Sequence, residues 1–223
     1  MNDIVKLHQV AKSYEKNGSH IQALQSMDLS VQKGDFTLVK GASGSGKTTL
    51  LLSIGGMLQP TSGEVHVLGK NIYALSDREK VKFRAHNVGF IFQMFHLIPY
   101  LHVRENILIN NETTGIKVNE NDLLKLTDEL GISHRLDHRP SQLSAGEKQR
   151  VALARALIKK PEVILADEPT GNLDVENSQV VLQKLRSFCD EGGTVVMVSH
   201  DNYPDQYANK LVTIGQRAET VNL

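Results

Sequence analysis

The sequence predicts an α/β fold: a largely parallel sheet covered by helices, with an antiparallel β subdomain and an inserted α-helical subdomain. Three observations predict it. Strand-like and helix-like segments alternate along most of the 223 residues, as they do when helices cover the faces of a sheet. Two of the strands, 162–166 and 194–198, are apolar runs without alternation, which is how a parallel strand reads when both faces are buried. Between about residues 93 and 160 there are helical patterns and no convincing strand.

The elements follow in order. Strands are expected at 4–10 and 22–31, with Gly18 in a turn between them. They look antiparallel and would cover one side of the core. A strand at 36–40 leads into a helix over 47–58 that carries Leu50, Leu51 and Leu52. A strand at 64–68, a helix at 76–84 and a strand at 88–92 come next. Helices at 103–111, 120–130 and 145–159 fill the insertion, and Pro99 and Pro140 punctuate its edges. Strand 162–166, helix 175–190, strand 194–198, a helical turn near 203–208 and strand 210–214 complete the chain. The layout is one domain, 1–223, in which 1–92 and 161–223 make the α/β core with its β subdomain and 93–160 the helical subdomain. Little chain follows 210–214, so no added regulatory domain is expected.

Composition limits the partners. There are 25 Lys+Arg against 25 Asp+Glu, so nothing held by bulk charge is expected, and nucleic acid, whose binders carry a basic excess, least of all. The hydrophobic fraction of 40% and charged fraction of 22% are ordinary globular usage. The longest apolar runs are a handful of residues, such as Val163–Ala166, against ~20 for a spanning helix, so direct membrane insertion is not expected. Met1-Asn2-Asp3 has neither a basic nor an apolar leader region, so no secretory signal is expected. Cys189 is the one cysteine, cannot form an internal disulfide and is assigned to packing. Together these features predict a soluble, cytosolic protein. The nine histidines are scattered and form no metal-ligand cluster.

Residues Gly41, Ala42, Ser43, Gly44, Ser45, Gly46, Lys47, Thr48 and Thr49 match G-x-x-x-x-G-K-[ST]. Glycines let the backbone curl so that successive N–H groups face phosphate oxygens. The following helix adds its positive N-terminal end. Lys47 can reach the β- and γ-phosphates, and the Thr48 hydroxyl can ligate Mg²⁺. A match by accident arises in about 1% of chains this long, and the strand–loop–helix context lowers that further. A nucleoside triphosphate is the expected ligand.

Residues 163–168 are an apolar strand ending in Asp167 and Glu168. Adjacent side chains at a strand end point different ways. Asp167 can therefore face Mg²⁺ while Glu168 serves a water molecule as general base. Solvated acids at a strand terminus are the plain alternative, and the nearby phosphate loop favours function. Residues 143–147, Leu-Ser-Ala-Gly-Glu, place Ser144 and Glu147 at capping-box spacing ahead of Val151, Ala154 and Leu157. A capped helix N-terminus is also a phosphate-binding surface.

With these motifs in this order, the chain resembles the ATP-binding-cassette ATPases over essentially its whole length. The resemblance implies a P-loop NTPase (RecA-like) core and an ATP-hydrolysing enzyme using ATP and Mg²⁺. Gly41–Thr49 corresponds to the Walker A loop, and Asp167 and Glu168 to the Walker B aspartate and the catalytic glutamate. Tyr14 stands where the family stacks an aromatic on adenine. Gln93 stands in the Q-loop, sensing Mg²⁺ and the attacking water and relaying nucleotide state to the helical subdomain. Leu143–Glu147 is the signature, Gly171–Asp174 the D-loop, and His200 the histidine that contacts the γ-phosphate. The stretches Phe-Gln-Met-Phe-His-Leu-Ile-Pro and Asp-Glu-Pro-Thr-Gly-Asn-Leu-Asp look most like the macrolide-export and lipoprotein-releasing branch, which includes a cell-division relative.

The implied partners are an integral membrane permease subunit and a second copy of the chain. The copies would pair head-to-tail, with each ATP between the P-loop of one and Ser144 and Gly146 of the other. The implied location is cytoplasmic, on the inner face of the cell membrane. An exporter or lipoprotein extractor is the leading output, and signalling to cell-wall enzymes without transport the alternative. Two residues depart from the usual signature: Ala145 replaces Gly, adding a methyl near the facing γ-phosphate, and Glu147 replaces Gln. Phe90 and Phe92 read as core strand residues. Phe95, Leu97, Ile98, Tyr100 and Leu101 read either as subdomain core or as part of a groove for a short helix of the membrane subunit.

Overall fold

A computed structural model describes residues 3–16, 19–115, 117–215 and 219–222. The turn expected at Gly18 lies outside the described residues. Strands β1 (Asp3–Lys16) and β2 (Ser19–Gln32) pair antiparallel. Both run further than their apolar alternation. Past Val10 the backbone ladder continues through register shifts while Tyr14 and Glu15 face solvent, so no buried face imposes a period there. Strand β3 (Phe36–Lys40) starts the second sheet. Helix α1 (Lys47–Ile54) ends earlier than the expected 58, because Gly55 caps it and Gly56 turns left-handed at φ 66°. Strand β4 (Ser62–Val67) and the two-residue β5 (Lys70–Asn71), too short to carry any period, complete a four-stranded sheet in the order β2-β1-β4-β5.

Helix α2 (Asp77–Asn87) opens on a capping box between Ser76 and Glu79 and leads into β6 (Val88–Phe92). From residue 93 to 162 the described residues hold helices and turns and no strand. The longer helices are α3 (Val103–Thr114), α4 (Glu120–Glu129) and α5 (Ala145–Leu157). Strand β7 (Val163–Asp167), helix α6 (Val175–Asp190), strand β8 (Thr194–Val198) and strand β9 (Lys210–Thr213) follow. Strand β10 (Glu219–Asn222), absent from the sequence reading, pairs antiparallel on the edge. The second sheet is six-stranded, in the order β10-β9-β3-β8-β7-β6, and is parallel from β9 to β6.

The apolar strands have no solvent face because each feeds two cores. On β7, Ile164 and Ala166 enter one core and Val163 and Leu165 the other; on β8, Val195 and Met197 oppose Val196 and Val198. The first core is closed by Val103 and Ile107 of α3, Leu123 of α4, Val151 of α5 and Leu182 and Leu185 of α6. The second is closed by Leu50, Leu51 and Ile54 of α1 with Val5, Leu7, Val65 and Val67 of the antiparallel sheet. Each such aliphatic side chain contributes about 1.5–3 kcal/mol on burial. Among the described residues no helix is long and apolar enough to cross a membrane. The parallel order places the C-terminal ends of β3, β8, β7 and β6 side by side, the edge where open α/β sheets bind ligands.

Candidate active site

The loop after β3 is held by close backbone approaches that only glycine permits. Gly46 has φ 97°, and a Cβ there would lie 2.3 Å from the Ala23 carbonyl oxygen of β2. A Cβ on Gly41 would lie 2.5 Å from Ser45 Oγ and 2.6 Å from the Ile214 carbonyl oxygen. The Lys47 ammonium, 8% exposed, folds back and donates to the Gly41 and Ala42 carbonyls at 2.8 and 3.1 Å. Ser45 Oγ is buried with no partner among the described residues. The first turn of α1 carries no acidic side chain, so its positive end is left for an anion. A cavity of ≈700 Å³ opens here, lined by Ser43, Gly44, Gly46, Lys47, Thr48 and Thr49 of the loop and helix and by Glu168 and His200 across the sheet edge. Gly41, Ala42 and Ser45 line an adjoining cavity of ≈460 Å³.

Strand β7 brings Asp167 to Thr48, whose Oγ1 donates to Asp167 Oδ2 at 3.0 Å. Burial raises the Asp167 carboxyl above its ordinary value and the Glu168 charge adds to this, while Thr48 and Lys47 oppose it. Glu168 adopts φ 44°. Its N–H donates to the Val198 carbonyl at 3.0 Å and its carbonyl accepts from Gly171 N–H at 3.1 Å. Two residues past β8, His200 Nδ1 lies 3.1 Å from Glu168 Oε1 and Nε2 lies 3.6 Å from Asp201 Oδ1. The Glu168 contact, followed by the Asp201 charge, raises the His200 imidazole above its ordinary value. A hydroxyl and a carboxylate meeting beside an ammonium are hard oxygen donors of the kind that share Mg²⁺ with phosphate, so Thr48 and Asp167 fit that ion.

The other expected residues stand apart from this cavity within one chain. Gln93 follows β6 and lies against Gly171, where a Cβ would sit 3.1 Å from its Nε2; its carbonyl accepts from Asn172 Nδ2 at 3.3 Å. Tyr14 is exposed on β1 opposite Ile21, with Lys12 Nζ 4.8 Å from its ring centroid. Ile21, not Tyr14, lines the cavity together with Gln22 and Ala23. Sequence reasoning missed these β2 residues because they carry no motif; the trace they leave is Gly46, whose absent Cβ makes room for the Ala23 carbonyl.

Ser144 caps α5, its Oγ accepting from Glu147 N–H at 3.2 Å. Ser144 and Ala145 face solvent, whereas Gly146 is buried against α6, where a Cβ would lie 2.1 Å from Asn177 Oδ1. The Glu147 carboxylate accepts from Ser144 N–H at 2.8 Å and from Arg135 Nε at 2.7 Å. The Ser144 N–H foremost, with Arg135 and the Ser144 hydroxyl, holds its carboxyl down at about 2 against the opposing effect of burial.

A third cavity, of ≈400 Å³, opens between α2, β6 and α5. The Phe90 and Phe92 rings line it, stacked at 5.5 Å, so these are not purely core residues; Phe90 packs on the second core with one side and faces the cavity with the other. Arg84, Arg155 and Lys159 also line it, their cationic ends donating to backbone carbonyls of Gly56, of Phe95 and His96, and of Arg84. Burial pushes the Lys159 amine down to about 8. In the segment beyond, Leu97 packs on the helical core while Tyr100 is 72% exposed. The buried Asn106 fixes that segment through bonds to Ile98, Leu101 and His102.

The ABC transporter family model matches residues 24–171, more than half of the chain. The lipoprotein-releasing system ATP-binding protein LolD of Colwellia psychrerythraea is 42% identical over 204 residues, 90% of this chain and 79% of that protein. The macrolide export ATP-binding/permease protein MacB of Chlorobium luteolum is 39% identical over 212 residues, 95% of this chain. The chain spans only 32% of MacB's length. Among solved structures, the dimeric post-hydrolysis state of the ATP-binding cassette MJ0796 bound to ADP and Pi matches with a TM-score of 0.90 and 35% identity, over 98% of this chain and 99% of that one.

Proposed function

This chain belongs to the ABC transporter family and is an ATPase of it, and we propose that it energises a separate membrane protein, an exporter or lipoprotein extractor. The convergence of Lys47, Thr48, Asp167, Glu168 and His200 on one sheet edge carries the reading. Phosphoryl transfer needs positioning and charge neutralisation more than covalent help. Lys47 exchanges its two carbonyl partners for β- and γ-phosphate oxygens, and the loop N–H groups with the end of α1 hold the remaining charge. Mg²⁺, held by Thr48 and Asp167, would neutralise phosphate charge. Glu168 accepts the proton of the attacking water, while His200 leaves Oε1 and turns to the γ-phosphate.

Ser144 and Ala145 are exposed and do not line their own chain's ATP cavity. That supports a head-to-tail pair in which they, with Gly146, meet the ATP of a second copy, as does the dimeric form of the similar MJ0796 cassette. The Ala145 methyl then lies close to the facing γ-phosphate and tempers turnover. Tyr14 stacks on adenine beside Ile21, and Gln93, against the turn that follows Glu168, carries nucleotide state into the helical segment 93–160. The groove floored by Phe90 and Phe92 receives a short helix from the membrane protein. The chain then works at the inner face of the membrane through that partner.

Purification of the tagged full chain in mild detergent, with identification of what accompanies it, tests this. A partner with a large extracytoplasmic domain and few spans supports the reading. A partner with many spans points to another transporter class, and the absence of any membrane protein overturns it.

A further inference from the structure

Gln149 is fully buried on α5, within the same helix whose exposed start is capped by Ser144. Its Nε2 donates to the Pro169 carbonyl at 2.7 Å. Its Oε1 has no partner among the described residues. The unpartnered Oε1 offsets part of what that bond contributes to stability, and the bond also fixes where the Pro169 carbonyl sits.

What the bond holds is the turn directly after Glu168. That residue's left-handed φ of 44° persists only when its surroundings over-determine it. Three hydrogen bonds do so: Glu168 N–H to Val198, Gly171 N–H to the Glu168 carbonyl, and Gln149 to Pro169. The first comes from β8 and the second from the turn itself. The third alone comes from α5, the helix that Ser144 caps. Pro169 has no N–H, so its carbonyl is the only backbone polar group by which this residue can be held.

We infer that Gln149 is a positioning residue for Glu168. It fixes the Pro169 carbonyl, thereby aims the Glu168 carboxylate, and ties that aim to the placement of α5. The inference rests on Glu168 being the general base.

The test is ATP hydrolysis by the full chain carrying Gln149→Met, a near-isosteric change that removes both the donor and the unpartnered acceptor. The expected result is a kcat lower by about tenfold, the equivalent of one lost hydrogen bond, with KM for ATP within about twofold; the thermal midpoint falls as well, because the buried Pro169 carbonyl loses its donor. Gln149→Asn, which keeps the amide but withdraws its donor by one methylene, shows the same split and decides the matter if the Met protein does not fold. Wild-type kcat in either folded variant, or a kcat loss that disappears at temperatures well below the variant's thermal midpoint, overturns the inference. Glu168→Gln measured alongside separates the two ideas: hydrolysis at the wild-type rate there refutes the base itself. An inactive Glu168→Gln with fully active Gln149 variants refutes only the positioning role.

Discussion

His200 Nδ1 sits 3.1 Å from Glu168 Oε1, so the Glu168 carboxylate has an internal partner across the sheet edge. The contact raises the His200 imidazole. Its contribution to stability is therefore full below the ordinary histidine value and fades as pH rises through the raised one. Replacing Glu168 with Gln returns the His200 titration toward its ordinary range, read by the imidazole resonances in NMR; an unmoved titration contradicts the pairing. The same variant loses hydrolysis by about 100-fold or more and elutes with ATP as a dimer in gel filtration. A monomer peak with ATP present rules out the sandwich for the isolated chain.

Lys47→Ala removes the ammonium that the loop carbonyls now hold. Phosphate release falls by about 100-fold or more, and the thermal stabilisation by ATP shrinks with it. An unchanged rate refutes the assigned site.

Gly46 and Gly44 separate two costs. Both are left-handed, at φ 97° and 79°, but a Cβ meets Ala23 O at 2.3 Å on Gly46 and nothing within 4 Å on Gly44. Gly44→Ala carries the backbone term alone, about 1–2 kcal/mol. Gly46→Ala adds the collision and costs about 3–4 kcal/mol. Denaturant melts compare them, and equal losses mean the β2 contact is unimportant.

Glu147 is tied to the Ser144 N–H and to Arg135 as an anion, with its carboxyl held at about 2. Its contribution is present above the ordinary carboxylate value and disappears as pH falls through about 2. Glu147→Gln is therefore less stable by about 1–2 kcal/mol at neutral pH. The difference closes on acidification, as measured by urea unfolding across a pH series. A difference that persists at the acid end assigns the effect to shape rather than charge.

What the sequence reveals here is whatever side chains repeat at a spacing. The doubly buried β7 and β8, the Ser144–Glu147 box and the Gly41–Thr48 loop all have that property. Tyr14, Gln93 and Gly146 are legible only through their positions in motif order, and within one chain they and Ser144 lie outside the cavity that Lys47, Thr48, Asp167, Glu168 and His200 share. Strand β5 escaped because two residues set no period, and β10 because Glu219, Thr220 and Asn222 leave it a single apolar residue. Gln149, Asn106 and Ala23 act through backbone carbonyls or amides, and such contacts impose no residue pattern on the partner segment. Helix α1 stops short of the expected residue 58 because Gly55 caps it and Gly56 turns left-handed, whereas the apolar Leu50, Leu51, Leu52 and Ile54 carry no stop signal of their own.

The sheet with two cores has a consequence for how such a chain can vary. Every position of β8 is buried, and its neighbours Val163, Ile164, Leu165 and Ala166 are too. A polar group placed on either side of these strands would enter a dry layer, so adaptation to a new assembly has no room there. Innovation is confined to the rim: the outward faces of α2 and α4, and the exposed Met94 and Tyr100. A library that randomises only these surfaces should recover new assembly preferences while keeping one engine.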